Sequence, residues 1–212
     1  MSKKGATAPK SVYSVHPIVA YTKAIIDNLP QKTGRPIEEW VSLVKGSGLA
    51  GDKERVAWLK REHSLGGTTA SIVVERAGEA DDTFSDPESY LKAASEYVET
   101  MYAGPKGALR PIHDALVELG LSLGADVKIS PCRTIVPFYR EHVFAQIKPT
   151  TRTRVDFGLA LKGVGRELPG RLLDTGGLAK GDRITHRFAL ASIDDIDAQV
   201  RDWARIAYEL DA

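Results

Sequence analysis

Two hydrophobic periods divide the chain. Up to about residue 123 the apolar side chains recur every three or four positions, and from Asp126 onward they alternate. Ile18, Tyr21, Ile25 and Leu29 form a first helical stripe, which Pro17 opens and Pro30 is expected to end. Pro36 starts a second helix, with Glu38 and Glu39 where the helix dipole favours acids and Gly46 at its close. Its apolar set is Ile37, Trp40, Val41 and Val44. A third helix spans about Asp52 to His63, with Val56, Trp58 and Leu59 inward. Beyond Leu65-Gly66-Gly67, Thr68 can cap a short fourth helix through Val74. Residues 69–74 also have strand propensity, and their helical neighbours decide for helix.

Asp86-Pro87 caps the next helix, whose inward set is Tyr90, Leu91, Ala94, Tyr97, Val98 and Met101. Gly104-Pro105 stops it, and a helix over about 107–123 follows with Leu109, Ile112, Leu116 and Leu119 on one face. Strands are then expected at Val127–Ile129, Thr134–Arg140, Val143–Lys148, Val155–Leu161 and Ile184–Leu190. Pro137 places its strand at an edge or a bulge. The glycine-rich stretch 162–183 is a long connection with room for a helical turn at Gly170–Leu173. Ser192, with Asp195 three residues on, forms a capping box for a closing helix striped by Ile196, Val200, Trp203 and Ala207.

These elements define an α+β protein: a small N-terminal helical domain, then two helices, a five-stranded, mainly antiparallel sheet and a closing C-terminal helix. The acidic stretch 77–86 reads as a linker between a helical domain at 16–76 and an α+β domain at 87–212. Polar residues 1–15 read as a flexible arm.

Composition narrows the function classes. With 212 residues, 42% hydrophobic and 27% charged, the chain is an ordinary globular protein. A single cysteine excludes an internal disulfide and a thiolate zinc cluster. No apolar run approaches the roughly 18–20 residues of a membrane helix. No apolar run follows the lysines of residues 1–10, so no secretory leader is expected and a cytoplasmic protein is. The net charge of +1 is segregated: +4 over 1–23, −5 over 24–125, +6 over 126–190 and −4 over 191–212. The basic segment directs attention to polyanions.

Within it, Thr150-Thr151-Arg152-Thr153-Arg154 is the densest cluster of cations and hydroxyls. Arginine forks and threonine hydroxyls suit phosphate oxygens. By strand parity Lys148, Arg154 and Arg187 share the outer sheet face with Phe144, so Lys148, Thr151, Arg152, Arg154, Arg187 and Phe144 are the candidate nucleic-acid or polyanion interface. His186 shares parity with Ile184, Phe188 and Leu190 and should point inward, where with Tyr139 it can define a small-molecule pocket between sheet and helices. No catalytic set, metal site or cofactor motif emerges. Asp126-x-Lys128 lacks the second carboxylate a metal nuclease needs, and Cys132 with His142 or His186 is matched by the plainer reading of a small buried thiol.

Lys32-Thr33-Gly34-Arg35-Pro36-Ile37-Glu38-Glu39-Trp40 with Val56-Ala57-Trp58-Leu59-Lys60 and Leu65-Gly66 resembles an uncharacterised bacterial helical family. Val143-Phe144-Ala145-Gln146-Ile147, the Asp156-to-Leu161 strand, Thr185-His186-Arg187, Ser192 to Ile196 and Trp203 to Tyr208 resemble a second domain of unknown function. A similar domain is appended to some predicted restriction-type endonucleases, and it distantly resembles small α+β proteins once labelled DNA-binding or iron-chaperone-like. The resemblance implies the architecture and brings no catalytic residues. The leading expectation is therefore a non-enzymatic binding protein for nucleic acid or another polyanion. A small-molecule binder is the alternative and an enzyme the third.

Overall fold

The computed structural model of the chain describes residues 11–78 and 82–212, so residues 1–10 of the expected arm and 79–81 of the expected linker lie outside the described residues. Two compact units divide the chain. One is Val15–Ala93, and the other joins residues 11–14 to Ala94–Ala212.

The first unit is helical: Pro17–Thr33 (α1), Ile37–Gly46 (α2), Asp52–His63 (α3), Gly67–Ala77 (α4), a 3-10 turn at Asp82–Phe84, and the first half of Pro87–Met101 (α5). Leu29, Trp40, Val44, Leu59, Val73 and Val74 lie in its core. Two expectations need correction here. Pro30 does not end α1, because it falls in the last turn and costs a single ladder bond. Thr33 Oγ1 donates to Leu29 O at 2.8 Å and the Gly34 N–H to Pro30 O at 2.8 Å, which close that turn. The buried stripe of α1 is Val19, Thr22 and Leu29, with Ile26 packed beside it, while Ile18 and Tyr21 are exposed. Both stripes have helical spacing and share Leu29, so period alone does not choose between them. Asp86 Oδ2 accepts from Ser89 N at 2.8 Å and caps α5 as its sequence predicts.

In the second unit a 3-10 turn at Gly104–Leu109 leads into Arg110–Leu123 (α6). The strands are Lys128–Ile129 (β1), Val136–Tyr139 (β2), Val143–Lys148 (β3), Val155–Leu159 (β4), Leu173–Asp174 (β5) and His186–Leu190 (β6). A short helix, Gly177–Lys180 (α7), precedes β6, and Ala198–Glu209 (α8) closes the chain. All pairings among the described residues are antiparallel, in the order β1-β2-β3-β4-β6-β5.

The sheet thus has six strands among the described residues rather than five. The extra one, β5, lies in the glycine-rich connection, and the helical turn expected at Gly170–Leu173 forms instead as α7. The Ser192–Asp195 capping box is present, but it holds a 3-10 turn. Asp197 caps α8 by accepting from Val200 N at 3.1 Å. The inward residues of α6 and α8 pack on one sheet face around Phe138, Phe144, Ile147, Phe157 and Phe188. Gly120 of α6 sits directly on the Phe138 ring, where a Cβ would overlap ring carbons. Residues 11–14 run beside β1: the Ser14 N–H donates to Ile129 O at 2.8 Å, and Ser130 Oγ donates to Ser14 O at 3.0 Å. Among the described residues no helix is long and apolar enough to cross a membrane.

Candidate functional site

Register separates the faces of the sheet. Val136, Ile147, Phe157 and Phe188 form one cross-strand row on the helix-covered face. Two rows occupy the opposite face: Lys148, Asp156 and Ala189, and beside them Pro137, Gln146, Gly158 and Arg187. Asp156 is only 9% exposed. Burying a carboxylate is costly unless cations and donors satisfy it, and here they do. Its Oδ1 lies 2.9 Å from Arg187 Nη1 and 2.9 Å from Arg154 Nε, and its Oδ2 accepts from Thr150 Oγ1 at 2.7 Å. The structure therefore brings Arg154 and Arg187 together, as parity predicts, and binds both to one buried acid.

The remaining cations gather around a different depression. Lys106, Arg133, Lys148 and Arg152 line a cavity of ≈ 530 Å³, and among the described residues no carboxylate lines it. They arrive from the 3-10 turn before α6, the β1–β2 connection, the end of β3 and the β3–β4 turn. Lys106 Nζ donates to Pro149 O at 2.6 Å and ties two of these segments together. Hydroxyls shape the β3–β4 turn locally: Thr151 Oγ1 accepts from Thr153 N at 3.3 Å, and Thr150 reaches back to Asp156. Thr151 is exposed in this turn and does not line the depression. Lys106 and Arg133 were missed by strand parity because neither lies on a strand. Lys106 also belongs to the acidic segment, so regional charge gives no sign of it.

Phe144 requires correction. It is fully buried against the Phe138 and Tyr208 rings, at centroid distances of 6.2 and 5.7 Å. The register shifts between Phe138 and Tyr139, which pair with Ala145 and Val143 respectively, and this leaves Phe144 as the extra residue of a bulge. A bulge breaks the alternation and turns its side chain to the other face. No aromatic ring remains on the basic face at this position.

The structure does not bring His186 and Tyr139 together. His186 is half-buried opposite Leu159, and Thr185 Oγ1 lies 2.9 Å from its Nδ1. The row from His186 through Leu159 and Ala145 to Phe138 is on the helix side, whereas Tyr139 pairs with Val143, which faces the open side. The two side chains stand on opposite faces of the sheet. Burial pushes the Tyr139 hydroxyl up to about 12, with nearby Cys132 adding to the effect. The large cavity is instead a trough of ≈ 690 Å³ on the open face, floored by Gln146, Gly158 and Arg187. The segment from Asp174 to Ile184 contributes to its wall.

The other chemical candidates have structural roles. Asp126 accepts from the Tyr208 hydroxyl at 2.7 Å and from Arg140 Nε at 2.9 Å, which hold its carboxyl below the usual range. His142 Nδ1 lies 3.3 Å from the buried Asp211 carboxylate. Burial raises the Cys132 thiol, the wrong direction for a nucleophile. Among the described residues no group of three histidine, cysteine or acidic side chains is placed to hold a metal ion.

Comparison with known proteins agrees with the division into two domains of unknown function. Residues 22–77 match the family model of a domain of unknown function (DUF4287), and residues 98–211 match that of a second domain of unknown function (DUF5655). No curated protein and no solved structure matches the chain. The second match contains β1 to β6, α8 and every residue of the basic depression, and it covers more than half of the sequence, so the chain belongs to the DUF5655 family.

Proposed function

We propose that the protein is a non-enzymatic binder of nucleic acid or a similar polyanion, engaging phosphates through Lys106, Arg133, Lys148 and Arg152. One observation carries this reading: four cations from four separate segments line a single depression of ≈ 530 Å³ that no acid among the described residues lines. Cations so placed are not paired off within the site, and phosphate contact releases condensed counterions from a polyanion. Arg154 and Arg187 contribute less, because Asp156 already holds them. With Phe144 buried and no aromatic side chain lining the depression, contact is with the phosphate backbone rather than by base stacking. The resemblance to a domain appended to predicted restriction-type endonucleases supports a nucleic-acid setting in the bacterial cytoplasm.

The test is a mobility-shift titration of short single- and double-stranded DNA and RNA with the full chain and an Arg133→Ala/Arg152→Ala variant. Both residues are exposed, so the variant should keep the wild-type Tm. The reading requires it to lose at least about tenfold in affinity at roughly 50 mM salt. Wild-type protein that shifts none of the four nucleic acids at that salt contradicts it.

A further inference from the structure

The basic depression and the open-face trough adjoin, since Lys148 and Thr150 line both. Their charge differs sharply. Among the described residues four cations and no acid line the depression, whereas in the trough Lys148, Arg183 and Arg187 are balanced by Asp156, Asp174 and Asp182. A ligand filling both must have an anionic head and an uncharged, polar body.

The trough floor specifies the body further. Gln146 is half-buried there, and its carboxamide is engaged by no other group among the described residues. That carboxamide offers a donor and an acceptor side by side, the pattern that pairs with a nucleobase edge. Beside it across the ladder is Gly158, where a Cβ would meet Ile184 Cγ2 at 2.6 Å and Gln146 Cγ at 3.1 Å. The space that a side chain at Gly158 would take is filled by Ile184 and Gln146, so the glycine lets the Gln146 stem lie close against the strand with Ile184 beside it. Thr150 and Arg187, which also line the trough, are held in place by the Asp156 carboxylate. At ≈ 690 Å³ the trough has the capacity of an ordinary small-molecule site, for which about 300–1,000 Å³ is usual.

We infer that the two cavities are one site for a nucleoside phosphate, with its phosphates among Lys106, Arg133, Lys148 and Arg152 and its base in the trough against the Gln146 carboxamide. This deepens the polyanion reading and rests on it for the phosphate end. The ligand is either a free nucleotide or the terminal nucleotide of a strand.

The experiment is calorimetric titration of the full chain with ADP, adenosine and pyrophosphate, beside a short 5′-phosphorylated oligonucleotide. ADP should bind about tenfold or more tighter than pyrophosphate, the gain expected from two added hydrogen bonds. Gln146→Ala should erase that advantage while leaving pyrophosphate binding and Tm unchanged. Gln146→Glu, nearly isosteric but lacking the donor, should erase it as well. Lys148→Ala should weaken both ligands. An oligonucleotide that displaces ADP assigns the site to strand ends, and ADP that it cannot displace assigns it to the free nucleotide; either result supports the site. Equal binding of ADP and pyrophosphate, or an ADP advantage that survives both Gln146 variants, overturns the inference. If the oligonucleotide still binds in that case, the polyanion reading stands alone. If neither pyrophosphate nor the oligonucleotide binds, both fail.

Discussion

Asp156 Oδ1 accepts from Arg187 Nη1 at 2.9 Å, and this bond helps decide how much of the basic face is open to a ligand. The same carboxylate holds Arg154, so one buried acid offsets two cations. Asp156→Asn should release both. The variant should bind oligonucleotides more tightly, with a log K against log salt slope steeper by about 1–2. It should also unfold more easily, by about 1–3 kcal/mol, because the cations left behind are partly exposed. Anisotropy titration and urea denaturation check the two effects. Unchanged affinity would mean that these arginines face no ligand.

His113 gives the fold a pH dependence. It is fully buried, its Nε2 lies 3.2 Å from the Tyr13 hydroxyl, and its Nδ1 has no partner among the described residues. Desolvation pulls its pKa from 6.5 to about 4, with Asp114 and Glu99 opposing and Arg110 adding to the shift. Between those values the unfolded chain binds the proton and the folded chain does not. The contribution of neutral His113 is therefore complete above about pH 6.5 and is lost as pH falls toward 4, by up to roughly 3 kcal/mol. His113→Gln should flatten this part of the stability profile, as read by urea denaturation over that range.

Gly120→Ala should destabilise the sheet unit even though alanine favours a helix. A Cβ there overlaps the Phe138 ring, and forcing α6 away from β2 costs about 1–3 kcal/mol. A rise in the denaturation midpoint would contradict the close contact.

The order of helices and strands was legible because period and capping residues agree for most elements. The four inward residues expected of the helix over about 107–123, Leu109, Ile112, Leu116 and Leu119, are buried, as are the four expected of the closing helix, Ile196, Val200, Trp203 and Ala207, with Leu109 and Ile196 lying just ahead of α6 and α8. The failures have distinct causes. In α1 two apolar stripes share Leu29, and only packing chooses between them. Phe144 is misplaced because a bulge depends on how many residues oppose each other across two strands, which neither strand reveals alone. Lys148, Arg152, Arg154 and Arg187 could be named from parity and clustering. The pairing of the latter two arginines with Asp156, and the arrival of Lys106 and Arg133 beside the former two, follow from the turns. A polar residue on an apolar strand pattern draws the sequence reading of a small-molecule pocket to His186, whereas Gln146 and Gly158 of the open-face trough carry no sequence signal of a cavity.

The most direct test of the account is the salt dependence of oligonucleotide binding by wild-type protein and by Lys148→Ala, Arg152→Ala and the double variant. Fluorescence anisotropy from about 50 to 200 mM salt should give a wild-type log–log slope near −3 for single strands, about 0.7 for each of four neutralised phosphates. Each removed cation should make the slope shallower by about 0.7, with Tm unchanged. A wild-type slope near zero, or variants that retain the wild-type slope and affinity, would contradict the assignment of the basic depression as the phosphate-binding site.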